Sequence, residues 1–288
     1  MTMSIFSNAF GTVKKNLSMI FHYRSSAIGF SIVLTVIILG FGAPLIASKG
    51  YDYISLIDRF KPPSLTYPFC TDALGRDVFS RVIYGARIAL WVGLLVVMIE
   101  SLIGVGLGIV SGFYGGVVDK LIMALSDIVW SFPAIVLALG VVIVLGPGLN
   151  QVIVAIALLS WPSFTRITRA KVQSLVNREF ILAARAIGES DFTIMIRYLL
   201  PNIMPTVLVL VSLSLLAAIL STTALSFFGF GAQPPTPDWG AMLKEGMPQL
   251  TIAPWIATIP GVFISITALG FNLLGDGLRD LLDPRLKI

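Results

Sequence analysis

Charge is what this 288-residue chain has least of. Only 12% of its residues are charged, where soluble globular domains carry about a quarter. With 56% hydrophobic residues, too few polar side chains remain to clothe a water-soluble fold. That excludes a soluble enzyme, a secreted disulfide scaffold and a disordered protein. A single cysteine, Cys70, excludes an intrachain disulfide and a thiolate metal cage. A single histidine, His22, leaves no His-rich metal site and no Ser–His or Cys–His pair in the core. No lysine follows a glycine, so the G-x-x-x-x-G-K-[ST] loop that cradles phosphates is missing. The chain therefore has no means of hydrolysing ATP alone, and any primary energy source belongs to a partner. The net charge of +5 reads as an orientation signal, since the basic residues do not cluster with aromatics as a nucleic-acid face requires.

What is present is long uncharged runs. They do not alternate apolar with polar, which argues against an outer-membrane barrel. Residues 27–48 carry no charge, and 22 residues at about 1.5 Å each span a ~30 Å hydrocarbon core. That run outlasts the apolar core of a signal peptide, so it is read as a retained first helix. Residues 88–118 are uncharged except for Glu100. The run 128–165 is too long for one crossing and contains Gly146-Pro147-Gly148-Leu149-Asn150, a turn signal that splits it in two. Runs 198–237 and 246–275 add one crossing each, and the prolines at 234, 235 and 237 take the end of the former out of helix. The expected fold is an all-α polytopic membrane protein with six transmembrane helices. No fixed-period repeat and no inverted halves are visible.

Six crossings satisfy the charge rule. Lys14, Lys15 and Arg24 precede the first span without an acid, which places the N-terminus in the cytoplasm. Four crossings later Arg166, Arg169, Lys171, Arg178, Arg185 and Arg197 fall on the same side, as does the tail with Arg279, Arg285 and Lys287. The expected order is a cytoplasmic segment 1–26, a first helix 27–48, an external loop 49–85, a five-helix core 86–275 and a cytoplasmic tail 276–288. Within the core lie a cytoplasmic loop 170–201 and an external loop 231–253.

The loop 170–201 holds a small helix-turn-helix. Arg178 to Ile187 reads as a helix of high propensity with a thin alanine face, ended by Gly188 in a left-handed conformation. Ser190 or Asp191 caps a second short helix expected to stop before Pro201. By composition it serves equally as a docking element or as an amphipathic connector on the membrane. Glu100 either lines a polar path or pairs with a backbone or hydroxyl group such as Ser101. Asp119 and Asp127 are expected to be solvated or paired with Lys120. Pro133 and Pro162 are either kinks around a cavity or tolerated in their spans.

Leu182-Ala183-Ala184-Arg185-Ala186-Ile187-Gly188, followed by Leu200-Pro201, resembles the "EAA" loop of permease subunits of bacterial binding-protein-dependent ABC importers. Leu182 stands where that motif has glutamate and Tyr198 where it has isoleucine, with Glu179 one turn away. Thr71 to Arg81 (TDALGRDVFSR), Leu225 to Gly240 (LSFFGFGAQPPTPDWG) and Phe271 to Asp280 (FNLLGDGLRD), ending in Asp283-Pro284-Arg285, resemble the second, "C" type permease of the dipeptide, oligopeptide, nickel and glutathione branch. The resemblance implies the type I ABC importer permease fold and a bacterial inner-membrane location. It implies a second permease subunit, two ATPase subunits that bind ATP and Mg, and an extracytoplasmic binding protein. The chain itself then needs no cofactor and no metal, and meets lipid but no nucleic acid. It implies that Ala183, Ala184, Gly188, Leu200 and Pro201 couple to an ATPase. Peptides are the first choice of substrate, with a nickel or other metal chelate and glutathione as alternatives. An ion-driven secondary transporter is the competing class, and would want several paired intramembrane carboxylates where only Glu100 lies deep.

Overall fold

The computed structural model describes residues 24–47 and 49–282. The remainder of the N-terminal segment (1–23, with Lys14, Lys15 and His22) and of the tail (283–288) lies outside the described residues. Among the described residues the chain is helical, with no strand. Five helices are long and apolar enough to cross a membrane: α1 (Arg24–Ile46), α2 (Val78–Tyr114), α5 (Leu149–Leu175), α7 (Asp191–Phe227) and α9 (Trp255–Leu282). Between α2 and α5 stand two shorter helices, α3 (Gly116–Trp130) and α4 (Ala134–Leu145). They meet at 87°.

The packing of α2 on α5 decides how that bent pair counts. A Cβ at Gly104 would meet Phe164 and the Trp161 carbonyl, at Gly108 Thr168 and the Thr165 carbonyl, and at Gly112 Val172 and the Arg169 carbonyl. Residue numbers rise together along both helices, so α2 and α5 run parallel. Parallel neighbours must both descend from the same membrane face. The chain between them therefore crosses back once, and α3 with α4 is that crossing. The total is six, and the 87° break has a local cause: Pro133 has no N–H to continue the helical ladder. The glycines at 104, 108 and 112 let the two backbones approach, as small residues do at membrane helix contacts. The Thr165 hydroxyl adds a hydrogen bond to the Gly104 carbonyl at 3.0 Å. Gly108→Leu should push the helices apart and cost about 1–3 kcal/mol of overpacking, read as a lowered melting temperature in detergent.

α1 uses a similar device. Its buried residues Ser26, Gly29, Val33, Val36, Gly40 and Ala43 recur at alternating spacings of three and four. This seam lies against α9, where Gly270 and Gly277 leave room for Ile32 and Ser26, and against α2 at Gly40.

Asp127 is exposed to solvent, as expected, but both it and Asp119 pair with arginines. Asp119 bonds Arg169, with Arg169 Nη2 donating to Oδ2 at 2.6 Å, and also accepts from the Ser111 hydroxyl. Asp127 pairs with Arg166, whose guanidinium lies 4.4 Å from the centre of the Trp130 ring. Neither acid pairs with Lys120, because α3 folds back along the end of α5 and meets the arginines there. α2 begins at Val78, eight residues before the boundary drawn at residue 86. The Asp77 carboxylate accepts from the N–H groups of Phe79 and Ser80 and caps it. Arg81, buried in the first turn of α2, is neutralised by two carboxylate partners.

Those partners sit in the 49–77 segment and in α8 (Trp239–Gly246). Asp72 accepts from Arg76 Nε at 2.6 Å and from Arg81 Nη1 at 2.5 Å. Glu245 on α8 accepts from Arg76 at 2.7 Å and from Arg81 at 3.0 Å. Trp239 Nε1 donates to the Val82 carbonyl at 2.9 Å. A Cβ at Gly240 would fall 2.1 Å from the Thr223 carbonyl, so α8 lies directly on α7. Asp238 caps α8 through the Ala241 N–H, and burial raises its pKa above the ordinary carboxylate range. Cys70 is fully buried there, and burial, with Asp72 and Asp77 nearby, raises its thiol pKa. α8 is anchored at the first turns of α2, and Arg185 of the 170–201 loop stacks on Phe113 at the last turn of α2. The two loops thus occupy opposite ends of the bundle.

Candidate functional site

α6 (Glu179–Ala186) hangs between α5 and α7. Its ends follow local chemistry. Arg178 is extended and breaks from α5. At the other end Glu189 N–H bonds the Ala184 carbonyl and Gly188 N–H the Arg185 carbonyl, the two bonds of a Schellman motif. Gly188 has φ +85°, the left-handed region that glycine enters without a Cβ penalty. Ser190 then caps α7 by accepting from Thr193 N–H.

The second helix does not stop before Pro201. It passes through a wider π-helical stretch, Ile194–Leu199, in which Leu200 N–H reaches back to the Met195 carbonyl. A proline in a regular helix clashes with the carbonyl four residues earlier. The π stretch lies immediately before Pro201 and loosens the ladder there, so helix and loop form one continuous rod, Asp191–Phe227.

The proposed coupling residues separate by exposure. Ala183, Gly188 and Pro201 are exposed, Leu200 is half-buried, and Ala184 is buried with Ile181 in the chain's own core. Ala184 thus seats α6 on the bundle, whereas Ala183 and Gly188 face outward. No other part of the described chain lies within 4 Å of a Cβ built on Gly188. Ile187 is 75% exposed and Phe192 70%, on either side of Gly188, with Leu182 half exposed. The turn is thus flanked by a bare isoleucine and a bare phenylalanine. Ile187 and Phe192 were not singled out from the sequence, although apolar residues bracketing a turn glycine were the available signal.

Glu100 is enclosed, at 3% exposure. Its carboxyl meets the hydroxyls of Ser160 on α5 and Ser214 on α7, not Ser101, whose hydroxyl donates back to the Met98 carbonyl. It therefore ties three helices together. Ser160 also borders a cavity of about 50 Å³ beside Ala134, Ala138 and Ser221, between α4, α5 and α7. Among the described residues no three His, Cys, Asp or Glu side chains converge as a metal site would need.

The stretches 71–81 and 225–240, far apart in sequence, both reach the α8 end: Arg76 and Arg81 pair with Glu245, and Trp239 bonds the Val82 carbonyl next to Arg81. The stretch 271–280 lies on α9, where Gly277 faces α1 and Gly275 faces Leu213 of α7.

Comparison with known proteins fits this arrangement. Residues 104–288 match the family described as binding-protein-dependent transport system inner membrane component. The chain is 40% identical over 285 residues to the dipeptide transport system permease protein DppC of Alkalihalophilus pseudofirmus, covering 99% of this chain and 91% of that protein. It is 45% identical over 268 residues to the glutathione transport system permease protein GsiD of Escherichia coli O157:H7, covering 92% and 88%. A chain of the MetNI methionine ABC transporter, solved in inward-facing conformations, superposes with a TM-score of 0.56 at 17% identity. That match covers 70% of this chain and 96% of the other, and it shows a shared fold.

Proposed function

The chain belongs to the family of binding-protein-dependent transport system inner membrane components, and from that premise we propose that it forms half of a channel importing short peptides, driven by ATP hydrolysed in separate subunits. The observation that carries the reading is the α6 turn. It projects from one end of a six-helix bundle, presents Ala183, Ile187, Gly188 and Phe192, and has no other described residue within 4 Å of a Cβ at Gly188. Two ATPase subunits holding ATP and Mg grip this turn and its counterpart on a second permease subunit. A binding protein delivers substrate at the α8 end. Because α7 continues as one helix from the turn through the membrane, a push at Gly188 is transmitted along it as a rigid element. Glu100 holds α2, α5 and α7 in register and faces a path only when those helices part.

Short peptides are the substrate class, as the dipeptide permease relative suggests. Glutathione, itself a tripeptide, is the second reading, suggested by the glutathione permease relative. Reconstitution with the cognate permease, ATPases and binding protein should give ATP-dependent uptake of a radiolabelled dipeptide. Uptake of glutathione with no uptake of dipeptides would select the second reading, and uptake without ATP would sink both.

The membrane is the bacterial inner membrane, with both termini and the α6 turn in the cytoplasm. Ser190→Cys and Thr236→Cys, each in a Cys70→Ser background, should react from opposite sides of sealed cells with an impermeant maleimide. Labelling of Ser190→Cys from outside overturns this orientation.

A further inference from the structure

At the α8 end a cavity of about 430 Å³ opens between α1, α2 and the 231–253 loop, walled by Phe41, Tyr51, Tyr84, Trp91 and Pro237. Tyr51 and Tyr84 pack edge to face with ring centres 5.0 Å apart. Arg87 reaches into the same space. It has no hydrogen-bond or ion-pair partner among the described residues, and no carboxylate lines the cavity. The contrast with its neighbours on the chain is sharp: Arg76 and Arg81 share two carboxylates. An unpaired guanidinium in an aromatic cavity is a site for an anion.

The level of Arg87 identifies the anion's source. On α1, Gly40 lies against the backbone of Arg87. Gly40 is six residues inside the end of α1 at Ile46, or about 9 Å along the axis. Before Arg87, α2 is covered by protein, with Val82, Ile83 and Ala86 buried. After it, Val92, Val96 and Val97 stay buried while the face of Trp91, Leu94 and Met98 is exposed and apolar, as on a face that meets acyl chains. Arg87 thus stands where hydrocarbon gives way to headgroups, the level at which tyrosine and tryptophan collect and arginine snorkels. A soluble anion would not need the apolar wall that Phe41, Trp91 and Leu149 extend toward the membrane.

We propose that this cavity binds the headgroup of an anionic membrane phospholipid. Arg87 holds the phosphodiester, Tyr51 and Tyr84 flank the glycerol, and an acyl chain runs down past Trp91. One cation with no carboxylate selects a glycerol headgroup over one that carries an ammonium.

Native mass spectrometry of the assembled transporter, released from nanodiscs of equal phosphatidylglycerol and phosphatidylethanolamine, tests this. The wild type should retain a phosphatidylglycerol that Arg87→Gln holds at roughly fivefold lower occupancy, about 1 kcal/mol for one basic group at the surface. Arg87→Lys should retain most of it. Glycerol 3-phosphate in excess should not displace it. Phosphatidylglycerol carrying a photoreactive acyl chain should label the wild-type peptides containing Trp91 or Leu149, which needs no variant. Equal retention by Arg87→Gln, displacement by glycerol 3-phosphate, or labelling confined to other helices would each overturn the proposal.

Discussion

Asp72→Ala should destabilise the protein by about 3–5 kcal/mol, the range seen when one partner of a buried ion pair is removed. Arg81 is 2% exposed and has two acidic partners, Asp72 and Glu245. Removing Asp72 leaves Arg81 Nη1 with Glu245 alone and strips Arg76 of its Nε partner. The same carboxylate accepts from the Leu74 and Arg76 N–H groups, so the turn before α2 loses its organiser too. That turn is already tight, for a Cβ at Gly75 would lie 1.8 Å from the Ser55 carbonyl. Glu245→Gln should cost much less, because the Glu245 side chain is one-third exposed and its replacement still accepts hydrogen bonds. Asp127→Asn should fall within about 1 kcal/mol, as solvent-exposed pairs do. Thermal unfolding of the three variants in the same detergent checks the order. A melting temperature for Asp72→Ala no lower than that of Asp127→Asn would show that the network contributes little.

Gly188→Val should abolish most transport while leaving membrane insertion and pairing with the second permease intact. The left-handed backbone at φ +85° costs a β-branched residue roughly 1–2 kcal/mol. Such a cost changes an equilibrium by a factor of about 5–30. No other described residue lies within 4 Å of a Cβ at Gly188, so a larger loss points to a surface seated against the turn. Gly188→Asn separates the two terms, since asparagine tolerates the left-handed region but adds bulk. If docking needs close approach, Gly188→Asn also loses the ATPase subunits on co-purification, although its backbone is relaxed. Glu179→Ala should be mild in both assays. Normal transport by Gly188→Val, with a full complement of ATPase, would reduce the turn to a connector.

The helical membrane character of the chain was legible in the sequence because hydrocarbon imposes a one-dimensional condition: uncharged runs of sufficient length. The turn at Gly146 to Asn150 and the left-handed Gly188 were legible for a similar reason, since glycine and proline act through their own backbones. The cap at Ser190 is a contact of three residues and needs no distant partner.

Other features depended on residues far apart. That 116–145 crosses once is read from the turn at 146–150 and the basic residues of 166–197, but how it crosses is not. The parallel packing of α2 and α5, a contact of residues some 60 positions apart at Gly104 and Thr165, gives the same count, and the fold adds the 87° bend. One of the two carboxylates beside the buried Arg81 comes from Glu245, 164 residues away. Ala184 and Ala183 are chemically identical neighbours in the loop, yet one is buried and the other exposed, because only the docking of α6 on the bundle distinguishes two adjacent faces of a short helix. Arg81 and Arg87, six residues apart on the same helix, diverge in the same way: tertiary packing brings carboxylates to the first and an aromatic cavity to the second. Sequence determined which segments leave water, since transfer depends on each segment's own side chains. The fold decided which charges are paired and which surfaces stay open, since both depend on what distant segments bring alongside.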